Sequence, residues 1–167
     1  LWFAAPQGVG CRQTAGEWNL YTGADGLPYN DFTSIAAGLD SATWFGTRFG
    51  GLHFDGTDWA YREGKRWLPD NEVRAIALDP AGNAWFATAA GVGYIEQRPM
   101  TFAEKAVHYE EEIDRYHRRT PYGYVWNARL AEPGGKSTAS QYDSDNDGQY
   151  TGLYGAAEAF AYAATRD

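Results

Sequence analysis

The feature that most constrains this chain is a repeat close to 41 residues long. Leu1-Trp2-Phe3 returns as Thr43-Trp44-Phe45 and again as Ala84-Trp85-Phe86, so the tryptophans are spaced 42 and 41 apart. Other landmarks keep the register. Trp18 matches Trp59, and Leu27-Pro28-Tyr29-Asn30-Asp31-Phe32 matches Leu68-Pro69-Asp70-Asn71-Glu72-Val73, each pair 41 apart. A period of this length marks a supersecondary unit that buries one face only by packing on a copy of itself.

Within each unit, short β-type runs alternate with Gly, Asp, Asn and Pro, the pattern of hairpin-linked strands. In the second unit the strands are expected at Thr33–Leu39, Thr43–Thr47, Gly51–Phe54 and Trp59–Arg62. Asp40-Ser41 and Pro80-Ala81-Gly82-Asn83 supply turn chemistry. Four short strands in about 40 residues is the blade of a β-propeller. The expected fold is therefore mainly β, incomplete four-stranded antiparallel blades over residues 1–99, followed by a helical extension over 100–167. Regularly spaced tryptophans in such units are blade core rather than sugar-stacking platforms, because each blade buries its aromatics against the next.

The order Trp44-Phe45-Gly46-Thr47, Gly51-Leu52, Asp55-Gly56, Trp59 and Leu68-Pro69-x-Asn71-x-Val73 resembles the repeat of two-component-regulator propellers. That resemblance implies that Val73–Leu78 is the innermost strand of a blade, Trp85–Thr88 the second and Val92–Glu96 the third, so that Leu1 begins on a second strand. The chain then supplies three strands, four strands and three strands of successive blades. Closed propellers need about four blades or more, and open edges invite pairing. Either the chain is a piece of a longer polypeptide, as its lack of an initiator Met suggests, or copies self-associate through their open blade edges into a homo-oligomer. The sensor family also implies an exported, periplasmic or extracellular location.

Charge excludes one class of partner. The net charge is −8, and residues 1–100 and 101–167 each carry 7 Lys plus Arg against 11 Asp plus Glu. Without a basic face there is nothing to neutralise phosphates, so nucleic acid is not expected. No stretch approaches the apolar length of a membrane-spanning helix, and no membrane partner is expected. Cys11 is the single cysteine, which rules out an internal disulfide and a thiolate metal cluster.

After Pro99 the period changes. Phe102, Ala106, Tyr109, Ile113 and Tyr116 recur at helical spacing. His108 has Glu112 four residues on, with His117 just beyond, but the second His of a zincin is missing. An extended run at 122–130 and a Pro, Gly and Ser-rich loop at 132–140 precede a second helix beginning near Tyr150, rich in Gly and Ala and able to approach a neighbour closely. The run Asp145 to Ala159 is similar to the inner-helix entrances of (α/α) toroid enzymes acting on polysaccharides. That similarity implies that Asp145 or Asp147 faces a sugar as general acid or base.

Asp143-Ser144-Asp145-Asn146-Asp147-Gly148 resembles the first half of an EF-hand loop, whose alternate carboxylates suit calcium. It departs at position twelve, where Tyr154 stands in place of a bidentate Glu. Three close carboxylates repel one another, which favours a cation; otherwise they cap the following helix.

These observations lead to two functional expectations. The first is a metal-dependent hydrolase acting on a glycan, ester or phosphoester. A divalent ion, calcium rather than zinc, would be held by Asp143, Asp145, Asp147 and His108, with Asp147, Glu112 and His117 as catalytic groups. The second is a ligand-binding or sensory propeller module that takes a small molecule or glycan, or a non-catalytic fragment that only assembles. Neither a nucleophile elbow nor a phosphate-binding glycine loop is present.

Overall fold

The structure, a computed structural model, describes residues 1–38, 42–118 and 120–166. The expected turn at Asp40-Ser41 lies outside the described residues. The chain divides into two compact units, Leu1–Arg98 and Pro99–Asp167.

The first unit is three antiparallel sheets in sequence. One contains β1 (Trp2–Ala5), β2 (Gly8–Arg12) and β3 (Trp18–Tyr21). The next contains β4 (Phe32–Ala37), β5 (Thr43–Thr47), β6 (Gly50–Phe54) and β7 (Trp59–Arg62). The third contains β8 (Val73–Leu78), β9 (Ala84–Thr88) and β10 (Gly91–Ile95). Every connection within a sheet is a simple hairpin between neighbours. The fold is thus mainly β, built of propeller blades with three, four and three strands, and a helical segment follows.

The repeat is preserved in irregularities as well as in strands. The pairing of β4 with β5 slips between Phe32 and Ser34, and that of β8 with β9 slips between Val73 and Ala75, 41 residues later. The hairpin after the Trp-bearing strand ends on Gly8, Gly50 or Gly91, with φ of 148°, 136° and 134°, a region that penalises any side chain. In the second and third blades a threonine braces that turn. Thr47 Oγ1 donates to the Gly50 carbonyl at 2.8 Å and Thr88 Oγ1 to the Gly91 carbonyl at 2.7 Å. Aspartates organise other turns: Asp55 Oδ1 accepts from the amides of Thr57 and Asp58, and Asp79 Oδ1 from those of Ala81 and Asn83.

Cores form between blades. Trp2, Val9 and Tyr21 of the first blade meet Phe45, Leu52 and Phe54 of the second, with Leu27 from the connecting loop. Trp44 of the second meets Val73, Ala84, Phe86 and Ile95 of the third, with Leu68 from the connecting loop. The contact that defines each interface is a tryptophan edge against a phenylalanine: Trp2 to Phe45 at 5.4 Å and 80°, Trp44 to Phe86 at 5.3 Å and 83°. Burying rings of this size stabilises by roughly 2–3 kcal/mol each, and a well-oriented pair adds about 1 kcal/mol.

The second unit contains α1 (Phe102–Tyr116), the two-stranded ribbon β11 (Asn127–Arg129) with β12 (Ser140–Tyr142), and α2 (Asp147–Thr165). A capping box starts α1: Thr101 Oγ1 accepts from the Glu104 amide, and the Glu104 carboxylate accepts from the Thr101 amide at 2.7 Å. The helix α2 starts three residues earlier than the composition suggested, because Asp147 turns back to Ser144. Its carboxylate accepts from the Ser144 amide at 3.0 Å and from the Ser144 hydroxyl at 2.9 Å. Its small residues are not covered by a neighbour: at Gly148, Gly152 and Gly155 no atom lies within 4 Å of where a Cβ would sit. Among the described residues, no helix is long and apolar enough to cross a membrane.

Candidate functional site

In the β unit, two kinds of loop meet at one end of the blades: the hairpin following the Trp-bearing strand and the segment that enters the next blade. Their contacts repeat. Asn30 Nδ2 donates to the Pro6 carbonyl at 2.6 Å, joining the entry to β4 with the β1–β2 hairpin. The Ala89 amide donates to the Glu72 carbonyl at 3.1 Å, joining the entry to β8 with the β9–β10 hairpin. Arg48, on the β5–β6 hairpin, pairs with Asp31 at 3.6 Å. Such a pair, largely exposed, contributes little to stability and leaves both groups available.

Two clefts open on this end. The first, of about 410 Å³, is lined by Ala4, Ala5, Pro6, Asn30, Asp31 and Phe32. The second, of about 260 Å³, lies one repeat on and includes Arg48, Lys65, Leu68, Asp70, Asn71 and Glu72 in its wall. The larger has the size of a small-molecule site, and the smaller falls just below it. Asn30 and Asn71 hold equivalent positions with different duties, since Asn71 Oδ1 accepts from the Gly64 amide at 2.7 Å.

An exposed aromatic pair lies next in sequence to one lining residue of each cleft, Asn30 of the first and Arg48 of the second. Tyr29, next to Asn30, stacks on Phe49, next to Arg48, with ring centres 5.2 Å apart and planes 23° apart. Tyr61 leans on Tyr29 at 5.2 Å, and its hydroxyl lies against the Phe49 carbonyl and the Glu63 carboxylate. Burial and the hydrogen bond to Glu63 push the Tyr61 phenol far above its usual range, so it remains a donor. Tyr29 and Phe49 are 38% and 50% exposed, which leaves a hydrophobic platform beside Asn30, Asp31 and Arg48. Sequence reading assigned aromatics to the core on the strength of the periodic tryptophans. The clue to this group was that Tyr29 and Phe49 fall in turns, outside the strand alternation.

The residues singled out in the second unit occupy separate places. Glu112 on α1 is bound by the Lys136 ammonium, which holds its carboxyl below the usual range. His117 caps α1, and its Nδ1 lies 2.8 Å from the Trp126 carbonyl. His108 on α1 sits beside the ring of Tyr109 at 5.5 Å. Asp147 is engaged by Ser144, while Asp143 and Asp145 are exposed in the turn before α2. Because α2 begins at the fifth position of the EF-hand-like run, Tyr154 at the twelfth lies two turns inside the helix. Its hydroxyl donates to Glu110 there. Among the described residues, no three His, Cys, Asp or Glu side chains are gathered as ligands would be.

What this unit does gather is a hub on Arg118. Its guanidinium binds Asp114, reaches Glu110 at 3.0 Å and donates to the Tyr154 hydroxyl at 2.6 Å. Hydrogen bonds donated to Asp114 and Tyr154 raise the Arg118 pKa further, and burial with nearby Glu110 raises that of Glu158. The signal for it was the i, i+4 spacing of Glu110 and Asp114 on one face of α1, with Arg118 four residues further on, just past the helix end. The hub ties α1 to α2, and its charges are turned on one another.

Comparison with known proteins bears on the β unit. Residues 68–90 match the family described as two component regulator propeller. The extracellular domain of the hybrid two component system BT3049 from B. thetaiotaomicron has a TM-score of 0.50 at 13% identity, covering 86% of this chain and 19% of that one. Extracellular domains of BT4673 from the same organism give 0.47 at 18% identity, over 59% of this chain and 14% of that one. A second gives 0.46 at 16%, over 86% and 21%. This chain therefore spans about a fifth or less of the length of those structures. No curated protein sequence matches it. Residues 68–90 are similar to the two-component-regulator propeller repeat, and the β unit has the fold of propeller blades.

Proposed function

We propose that the β unit is a ligand-binding part of a sensory propeller and takes a carbohydrate or similarly polar small molecule on its loop end. The observation that carries this reading is the exposed Tyr29–Phe49 stack, with Tyr29 next in sequence to Asn30 and Asp31 of the cleft of about 410 Å³ and Arg48 paired with Asp31. An exposed aromatic face takes the apolar face of a sugar ring, while amide, carboxylate and guanidinium groups take its hydroxyls. The likeness in fold to the extracellular domain of a hybrid two component system supports this reading and an extracellular or periplasmic location.

We favour it over a metal-dependent hydrolase because the carboxylates and histidines for that chemistry are dispersed or committed, Glu112 to Lys136 and Asp147 to Ser144. Calorimetric titration of the full chain against a panel of neutral and acidic oligosaccharides tests the proposal. Binding should weaken at least about tenfold when Tyr29→Ala and Phe49→Ala are combined, a loss typical of an aromatic anchor. Equal binding by the double variant, or no binding by the native chain, would sink it.

A further inference from the structure

The loop between β7 and β8 gathers positive charge that no described carboxylate neutralises. Its shape is set locally. The Gly64 carbonyl accepts from the amides of Trp67 and Leu68, each at 2.9 Å, and the Gly64 amide donates to Asn71 Oδ1 at 2.7 Å. Gly64 has a φ of 71°, which a glycine adopts without strain. Leu68 is buried, and Trp67 packs against the core shared by the second and third blades. The turn is therefore held by its own hydrogen bonds and by that core.

Two guanidiniums sit on the anchored indole. Arg62, the last residue of β7, has its Cζ 4.6 Å from the centre of the Trp67 ring, and Arg66 has its Cζ at 5.2 Å. An aromatic face attracts a guanidinium but does not use up its in-plane N–H donors, which match an oxyanion. Arg62 is only partly satisfied. Its Nη1 donates to the Tyr61 carbonyl at 3.0 Å, and its Nε is buried with no hydrogen-bond partner. Burial and the nearby Arg66 charge both pull the Arg62 pKa below its ordinary value, as expected of a cation short of a counter-charge.

The carboxylates close by in sequence are engaged elsewhere. Glu63 accepts from the Tyr61 hydroxyl at 3.0 Å, Asp70 accepts from the Glu72 amide at 2.7 Å, and Glu72 pairs with Arg74 at 3.7 Å. Among the described residues, neither Arg62 nor Arg66 forms an ion pair. Two like charges on one indole, one of them partly buried, are unfavourable until an anion joins them. The net charge of the chain is −8, so any attraction for an anion here is local to the cluster.

We propose that Arg62 and Arg66, held on Trp67, form a binding site for one oxyanion group, a carboxylate or sulfate. The site lies on the connection between two blades. It uses neither Tyr29 nor Phe49, so it stands or falls apart from the aromatic platform.

Nuclear magnetic resonance titration of the full chain, read at the Arg62 Nε–H and the Trp67 indole N–H, tests it. The probes are sodium sulfate, sulfated glucose, glucuronate and neutral glucose, at one ionic strength kept with sodium chloride. The anions should shift both signals to saturation, and glucose should not. Sulfated glucose binding more tightly than inorganic sulfate would mark the anion as part of a sugar; equal binding would mark a free ion. Arg62→Gln and Arg66→Gln should each weaken binding at least about tenfold, read at Trp67. Arg74→Gln, which removes the same charge from β8, should bind as the native chain does. If Arg62→Gln alters the near-ultraviolet dichroism, Arg66→Gln, at an exposed position, decides the test. Absence of a saturable shift overturns the proposal. So does equal weakening by Arg74→Gln, which would reduce the effect to net charge, and so does glucose binding as tightly as the anions.

Discussion

The two units of this chain are held together by different physics. In the β unit, large apolar side chains are removed from water between sheets: Trp44, Phe45, Leu52, Leu68 and Phe86 are all 2% exposed or less. In the second unit neither helix buries a residue fully, Val125 is the only buried hydrophobic side chain among those described, and Phe102 is 92% exposed. There the linkage is polar, through Arg118 and through Thr151, whose Oγ1 accepts from the Val125 amide at 3.1 Å. A repeat allows flat sheets to stack and share a core, whereas two helices and a short ribbon, described by themselves, offer little apolar area to cover.

The sharpest way to break this contrast is to open a cavity between blades. Trp44→Ala should destabilise the β unit by about 3–5 kcal/mol. Denaturant unfolding followed by tryptophan fluorescence would show it, while hydrogen exchange in α1 and α2 stays unchanged. A comparable loss of protection in the helices would mean that the units are not independent.

Backbone strain separates the blades more finely. A Cβ at Gly50 would lie 2.6 Å from the Arg62 carbonyl oxygen at a positive φ, whereas at Gly91 nothing lies within 4 Å because the third sheet has no strand in the place of β7. Gly50→Ala should therefore cost roughly 2–3 kcal/mol and Gly91→Ala roughly 1 kcal/mol, compared by midpoint in urea. Equal costs would show that the Gly91 turn is also crowded in solution.

In the second unit, Arg118→Leu should cost only about 0.5–1 kcal/mol, because its ion pairs are partly exposed and screened. The readout is faster amide exchange at the ends of α1 and α2. A larger loss would make the hub, rather than Val125 and its neighbours, the main support of the unit.

The smallest effect concerns pH. Burial and the Arg62 charge hold the His53 pKa below its ordinary value of 6.5, and its ring lies 4.4 Å from that of Trp44. Folding therefore favours the neutral ring. The contribution is complete above pH 6.5, where the unfolded chain is also neutral, and is lost as pH falls from 6.5 towards the depressed folded value. Melting temperature followed from pH 7.5 to 5 should fall more steeply for the native chain than for His53→Gln. Parallel curves would remove His53 from the account.

Much of the β unit was legible in the chain. The strands around Trp44 and Trp85 and the turn at residues 80–83 follow from period, alternation and turn residues, because hairpins are local, while the three-four-three strand count is what the resemblance to the propeller repeat implies. The loop-end site was less so. Tyr29 and Phe49 are 20 residues apart and meet only because the entry to β4 folds over the β5–β6 hairpin. In the second unit the sequence shows the Asp143–Asp147 run, but only the structure shows that α2 starts at Asp147 and that this carboxylate accepts from Ser144.

What the sequence determines by itself is the repeat, its strands and its turns, since register and hairpin geometry depend on residues a few positions apart. What only the tertiary structure decides is which of three equivalent tryptophans is covered. β5 is buried along its whole length between two sheets, while β9, with the same Trp-Phe motif, alternates buried and exposed because it has a neighbour on one side only. Burial belongs to the pair of surfaces and not to the residue, so identical motifs end in different environments.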